Sequence, residues 1–171
     1  MTPKVSVAMC TYNGQRFLGQ QLQSFLDQTL QPDELVVCDD VSSDDSTAMV
    51  EAFAARAPFA VKLFRNAQNL GYIRNFEQAI GHCTGDLVLL CDQDDVWDRR
   101  KIEILREVFV AEPEVGLVLH DFVRVTAEGG PFDLSEDRYG EHQLLGRDMP
   151  DEVRGHGIRA FMRPSPRAWC G

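Results

Sequence analysis

No stretch of this chain is long and apolar enough to cross a bilayer. The longest clear apolar run, Leu87-Val88-Leu89-Leu90-Cys91, is far short of the roughly 20 residues a spanning helix needs. Met1-Thr2-Pro3-Lys4 runs straight into strand-like residues and opens no secretory leader, so a cytoplasmic location is expected. The five cysteines, Cys10, Cys38, Cys83, Cys91 and Cys170, are odd in number and have no CxxC spacing, which speaks against a disulfide framework or a zinc site. His82, His120, His142 and His156 lack the HExxH ligand spacing. The first strand-to-helix turn lacks GxGxxG, so a dinucleotide-binding Rossmann domain is disfavoured. Basic charge is scarce too: 17 Lys and Arg stand against 27 Asp and Glu, a net charge of −10 that argues against nucleic acid as a partner. An anionic ligand would need a bridging cation or local basic groups to approach such a chain.

What the chain does have is 171 residues, 44% of them hydrophobic, enough for one globular domain with a sizeable core. Apolar periodicity alternates between strand and helix up to about residue 125. Val5–Met9, Glu34–Cys38, Val61–Phe64, Asp86–Cys91 and Val115–Leu119 read as strands. Between them, Leu18, Leu22, Phe25 and Leu26 form one helical stripe, and Met49, Ala52 and Phe53 a second. Ile73, Phe76 and Ile80 form a third, and Ile102, Leu105, Val108 and Phe109 a fourth. Strands and helices alternating at this spacing imply βαβ units, an α/β fold with a mainly parallel sheet flanked by helices in three α/β/α layers. The division expected is a first domain over 1–127 and an irregular region over 128–171, where Gly129-Gly130-Pro131 marks a turn and periodicity fades.

In an open parallel sheet, ligands bind beyond the carboxyl ends of the strands. Polar residues gather at that end of nearly every strand here: Thr11-Tyr12-Asn13, Asp39-Asp40, Asp92-Gln93-Asp94-Asp95 and His120-Asp121. Three carboxylates among four residues repel one another and suit a hard cation such as Mg2+ or Mn2+, which takes carboxylate and phosphate oxygens. The alternative for this block is a turn and helix N-cap. Ser43 to Ser46 read as cap and first-turn residues of the second helix, whereas Asp39 and Asp40 sit at the strand end, where a carboxylate can accept the imide N–H of a uracil or thymine ring. Tyr12 is placed either to stack on a base or simply to pack. Gly71 permits positive φ, and Arg74 is positioned to pair with a phosphate or with Glu77.

Together these residues resemble the family 2 glycosyltransferases of the GT-A fold. The resemblance covers roughly residues 4 to 125. It rests on Val5-Ser6-Val7-Ala8-Met9-Cys10-Thr11-Tyr12-Asn13-Gly14, on Val36-Val37-Cys38-Asp39-Asp40-Val41-Ser42-Ser43-Asp44, on Asn69-Leu70-Gly71 with Asn75, and on Thr84-Gly85-Asp86 leading to Asp92-Gln93-Asp94-Asp95-Val96-Trp97. The last block is similar to rhamnosyltransferase-like members acting on cell-surface polysaccharides.

The resemblance implies a nucleotide-sugar-binding domain over 1–127, with 128–171 as the start of an acceptor-binding region, and a chain truncated relative to its family. It implies inverting transfer from a UDP- or dTDP-sugar, dTDP-rhamnose among them, to a polysaccharide or lipid-linked saccharide, with peripheral association at the inner face of the membrane through the acceptor. Cys10, Thr11, Tyr12 and Asp40 would contact the nucleoside with Asp39 in support. Gly71, Arg74, Asn75, Asp92 and Gln93 would complete the substrate site. Asp94 and Asp92 would form the DXD motif that holds Mn2+ or Mg2+, with Asp94 as the direct ligand and Asp95 nearby. Asp121 would assist metal or donor binding, and no catalytic base is assigned. Two other readings compete: a catalytically incomplete nucleotide-sugar-binding fragment, and a phosphatase of the haloacid dehalogenase type, whose DxDx(T/V) motif Asp92 to Val96 fits formally.

Overall fold

The computed structural model describes residues 2–120, 125, 126 and 130, together with the backbone of 158–162 and 168–170. In chain order the elements are β1 (Val5–Thr11), α1 (Gln15–Leu26), β2 (Glu34–Asp39), α2 (Ser46–Ala54), β3 (Ala60–Arg65) and α3 (Tyr72–His82). They continue with β4 (Leu87–Cys91), α4 (Lys101–Ala111), β5 (Val115–His120), β6 (Ile158–Met162) and β7 (Ala168–Cys170). The sheet order is β3-β2-β1-β4-β7-β5-β6. β1 is parallel to both β2 and β4, and β2 to β3. β7 lies parallel between β4 and β5, and β6 runs antiparallel to β5 with a register shift between Val115 and Leu117.

The two faces of the sheet follow from strand alternation. Val5, Val7 and Met9 of β1 join Leu18, Leu22 and Phe25 of α1, Phe53 of α2 and Ile102, Leu105 and Phe109 of α4 in one core. Ala8 and Cys10 face the other way, into a smaller core with Val36, Cys38, Phe76, Ala79, Cys83 and Val88. β1 is buried along its whole length because helices cover both of its faces, which is why its sequence is nearly uninterrupted apolar. Cys10, Cys38, Cys83 and Cys91 are free thiols buried in these layers. Among the described residues no helix is long and apolar enough to cross a membrane.

Three sequence expectations change in detail. The buried face of α3 is Asn75, Phe76 and Ala79, whereas Ile73 is 80% exposed. An apolar stripe misses this rotation because the helix is turned by the hydrogen bonds of a polar residue, Asn75. In α2, Ala52 is exposed and Val50 buried. In the region expected to be irregular, β6 and β7 add two short strands to the sheet; the remaining calls between 131 and 157 lie outside the described residues.

At the amino end of the sheet, one buried acid ties four segments together. Glu34, 5% exposed, accepts from Ser6 Oγ at 2.6 Å, Thr84 N at 2.6 Å and Thr84 Oγ1 at 2.9 Å, and pairs with Lys62 Nζ at 2.6 Å. Burial pushes the Glu34 carboxyl up, but the hydrogen bonds from Lys62, Ser6 and Thr84 outweigh it and hold the group at about 2. A carboxylate depressed in the folded state contributes stability that is complete above its unfolded value near 4.5 and is lost as pH falls toward 2. Glu34→Gln should lower the unfolding free energy by roughly 2–4 kcal/mol at neutral pH and flatten its dependence on pH across that acidic window. Urea unfolding at a series of pH values checks both; a variant with the parental acid limb would show that Glu34 is not the titrating group.

Candidate functional site

The carboxyl ends of β1, β2 and β4 meet at one rim, and the loops leaving them are stitched together by side chains. Thr11 Oγ1 donates to Asp39 Oδ2 at 3.0 Å across the β1–β2 ladder, where Thr11 and Asp39 are in register. Asp39 also accepts from Ser42 N at 3.0 Å and from the Ser42 hydroxyl, closing a turn that carries Val41 at φ 68°. Asn13 Oδ1 accepts from Ser43 N at 2.8 Å, and Ser42 Oγ accepts from Asn13 N at 2.9 Å. Ser46 Oγ accepts from Gly14 N at 2.9 Å, and Asp44 accepts from Gln15 N at 3.0 Å. The Ser and Asp residues expected at the start of α2 also hold the β1 turn: Asp45 is the N-cap without a side-chain capping bond, and Asp44 accepts from Ser46 N at 3.0 Å as well as from Gln15 N.

Asp40 is 4% exposed, and its carboxylate organises a second loop. Oδ1 accepts from Leu70 N at 2.7 Å and from Asn66 Nδ2 at 2.8 Å, and Oδ2 accepts from Gly71 N at 2.9 Å. Burial pushes the acid up, but these donors prevail and hold it below the ordinary carboxylate value. Gly71 stands at φ 78° and ψ 163°, a region open essentially to glycine alone, and delivers its N–H to Asp40 at the start of α3. Asn75, 2% exposed, donates to the Cys38 carbonyl at 2.9 Å and accepts from Asn66 Nδ2 at 2.9 Å. Gln78 Nε2 donates to Asn66 Oδ1 at 2.7 Å. Asn66 therefore sits at the centre of a polar network that holds the 66–71 loop against β2. Its position outside any apolar stripe hides that role in the sequence. Arg74 is exposed on the first turn of α3.

The acidic block forms a turn after β4. It is not the N-cap of α4, which begins at Lys101 behind Arg100, so the capping alternative falls away. Trp97 anchors the block: it is 5% exposed, meets Phe25 edge-on at 5.1 Å, and carries Lys101 Nζ 4.0 Å above its ring. Asp92 is half-buried while Asp94 and Asp95 are exposed. Burial, and then the charges of Asp95 and Asp94, push the Asp92 carboxyl up to about 6; a hydrogen bond from Tyr72 acts against them. Tyr72, 65% exposed at the start of α3, is a site residue the sequence did not single out, because an aromatic there reads as packing. Gln93 turns away from the acids: Oε1 accepts from Tyr12 N at 2.8 Å and Nε2 donates to the Tyr12 carbonyl at 3.2 Å. Tyr12 itself is 52% exposed.

Cys10 lies among these groups. Burial, then Cys38, Asp92 and Asp40, push its thiol far above the ordinary value, so it is a neutral packing group at the floor of the rim. Cys10, Tyr12, Asp40, Gly71, Asp92 and Gln93 are therefore brought together, Thr11, Asp39 and Asn75 support them from behind, and Asp121 lies outside the described residues. Among the described residues no three His, Cys, Asp or Glu groups converge on one point as a ready-made metal cage. Two exposed carboxylates beside one whose charge is disfavoured by its neighbours fit a hard cation that draws its remaining oxygens from phosphate.

The chain matches the Glycosyl transferase family 2 profile over residues 6–165, which extends beyond the roughly 4–125 span of the sequence resemblance. It is 35% identical over 101 residues to the putative glycosyltransferase EpsE of Bacillus subtilis, covering 59% of this chain and 36% of that protein. It is 32% identical over 100 residues to the Escherichia coli UDP-Glc:alpha-D-GlcNAc-diphosphoundecaprenol beta-1,3-glucosyltransferase WfgD, covering 58% of this chain and 38% of that one. Among solved structures, Staphylococcus aureus TarS in complex with UDP-GlcNAc superposes with a TM-score of 0.63 at 26% identity over 76% of this chain and 37% of that one. The mannosyltransferase PcManGT from Pyrobaculum calidifontis, in complex with GDP-Man and Mn2+, superposes with a TM-score of 0.62 at 27% identity over 72% and 36%. The chain thus spans well under half the length of the relatives it matches. The phosphatase reading is set aside by the family match, and the fold is the GT-A arrangement of its structural neighbours. On its strand-end motifs, its sheet and a profile match running over nearly its whole length, this chain belongs to glycosyl transferase family 2.

Proposed function

We propose that this chain binds a nucleotide-diphosphate sugar at the rim formed by β1, β2 and β4, as the donor side of a metal-dependent inverting glycosyltransferase. The observation that carries the reading is the acidic turn Asp92–Asp95, tied through Gln93 to the backbone of the exposed Tyr12. Tyr12 offers a face for the base, with Cys10 and Thr11 beneath it. Asp39 and Asp40 shape the pocket wall, and Asp40 reaches the base only through the oxygen lone pairs its loop bonds leave over. Gly71 and Asn75 hold the start of α3, from which Arg74 extends toward a phosphate.

Asp94, with Asp92 as second ligand, would hold Mn2+ or Mg2+, a Lewis acid that neutralises charge on the departing diphosphate. Asp92 also faces the ribose or donor sugar, with Asp95 adjacent. In the transfer, an acceptor hydroxyl attacks the anomeric carbon as the bond to the diphosphate breaks, and a carboxylate base takes the hydroxyl proton. A UDP- or dTDP-sugar is the donor proposed, dTDP-rhamnose among the candidates, and the acceptor is a saccharide or lipid-linked saccharide presented at the cytoplasmic face of a membrane. The fit is supported by the nucleotide sugars and Mn2+ held by the structural neighbours. Donor binding without transfer is the second reading, which the assay below separates from turnover.

Calorimetric titration with UDP, dTDP and GDP, each with and without Mn2+ or Mg2+, should show binding only when metal is present. Asp94→Ala should abolish that metal dependence. Equal affinity with and without metal in the parent chain would overturn the metal assignment. Tyr12→Ala should weaken the preferred diphosphate by roughly tenfold or more, the size of a lost base–aromatic stack; unchanged affinity would remove Tyr12 from the nucleoside site. Release of free sugar or transfer to a saccharide acceptor, assayed on the same preparation, separates turnover from binding alone.

A further inference from the structure

Gln93 stands between Asp92 and Asp94, where a glutamine would be expected to reach for the donor. Its amide is already engaged at both ends, on the backbone N–H and carbonyl of Tyr12 at 2.8 and 3.2 Å. The ladder between β1 and β4 ends with Met9 opposite Cys91. Beyond that point β4 ends while β1 runs on beside β2 to Thr11, and the Gln93 amide restores between the two segments, at Tyr12, the two-point pairing that backbone groups make inside the sheet. Tyr12 is half exposed, so without this amide its N–H and carbonyl would face water and the turn would have one tie fewer to β4.

Room for the amide comes from Gly14. A Cβ at that position would lie 2.2 Å from Gln93 Oε1 and 2.5 Å from Cδ. Gly14 has φ −96°, which any residue adopts, so its backbone does not call for glycine; the space does. A glutamate at 93 would set an oxygen against the Tyr12 carbonyl and add another charge to a turn whose acids already disfavour one another.

From this geometry we infer that Gln93 is a positioning residue: it fixes the Tyr12 turn against the acidic turn, so that the surfaces meeting the two ends of a nucleoside diphosphate stand at a set separation. The inference rests on the donor-binding reading above. It assigns Gln93 no contact with the ligand.

The test uses the whole chain as Gln93→Ala, Gly14→Ala and the double variant, with three measurements on each. These are exchange of the Tyr12 amide hydrogen without nucleotide, thermal unfolding, and titration with UDP in the presence of Mn2+. Each single variant should exchange the Tyr12 amide about tenfold faster and bind UDP about tenfold more weakly, the scale of a lost pair of hydrogen bonds. The unfolding midpoint should stay within a few degrees of the parent. The double variant should be no worse than Gln93→Ala, because Gly14→Ala acts by evicting an amide that is then absent. Unchanged Tyr12 exchange overturns the inference even if binding weakens, since that pattern marks a direct ligand contact. Faster exchange with unchanged affinity overturns it too, as do effects that multiply in the double variant. If the parent chain binds no UDP with Mn2+, the donor reading fails, and the Tyr12 exchange rates alone decide whether the tie exists.

Discussion

β2 and the turn after β4 deliver Asp39, Asp40, Asp92, Asp94 and Asp95 to one rim, and like charge at that density is unfavourable unless each carboxylate is answered by a donor or a cation. The structure answers them unequally. Asp39 takes the Thr11 hydroxyl and the Ser42 turn, and Asp40 takes two backbone N–H groups and the Asn66 amide. Among the described residues, the Tyr72 hydrogen bond is set against burial and the charges of Asp95 and Asp94 at Asp92, and its carboxyl is pushed up to about 6. The satisfied acids build the walls of the site, and the unsatisfied ones are left for something brought from outside. On the donor reading proposed above, that division would let a chain with net charge −10 take an anionic donor, the cation and the diphosphate entering together.

The two ends of the sheet use the same chemistry for different purposes. At the amino end, Glu34 is saturated by Ser6, Thr84 and Lys62 and its charge is fully compensated, which makes it a clasp. At the carboxyl end, saturation is spent on positioning loops, and residual negative potential is kept in one exposed turn. Trp97, two residues beyond Asp95, anchors the segment that follows that turn, its buried ring in contact with Phe25 and Lys101.

Much of this was legible in the residues. The five strands up to His120, the parallel order of the first four and the gathering of acids at one rim follow from alternation and from the position of each polar cluster just after an apolar run. Roles within the rim were less accessible. Asp40 reads as a ligand group and is largely occupied by Leu70, Asn66 and Gly71; Asn66, at the centre of that network, carries no pattern that would reveal it. Tyr72 reaches Asp92 from a different element, and Ile73 looks like core but points to water because Asn75 turns the helix. β6 and β7 escape periodicity because a strand of a few residues leaves too short a pattern to detect.

By itself, the sequence determined the layer architecture, the end of the sheet where the acids gather, and the acidic character of the turn after β4, because burial and repulsion are properties of residue type and spacing. Tertiary structure alone decided which polar groups remain available, because a side-chain donor or acceptor is committed by whatever lies within about 3 Å of it, and those neighbours come from distant parts of the chain. Gln93 shows the difference most plainly. Its place among the aspartates marks it as a ligand group, and only the approach of Tyr12 and the missing Cβ of Gly14 turn it into a brace.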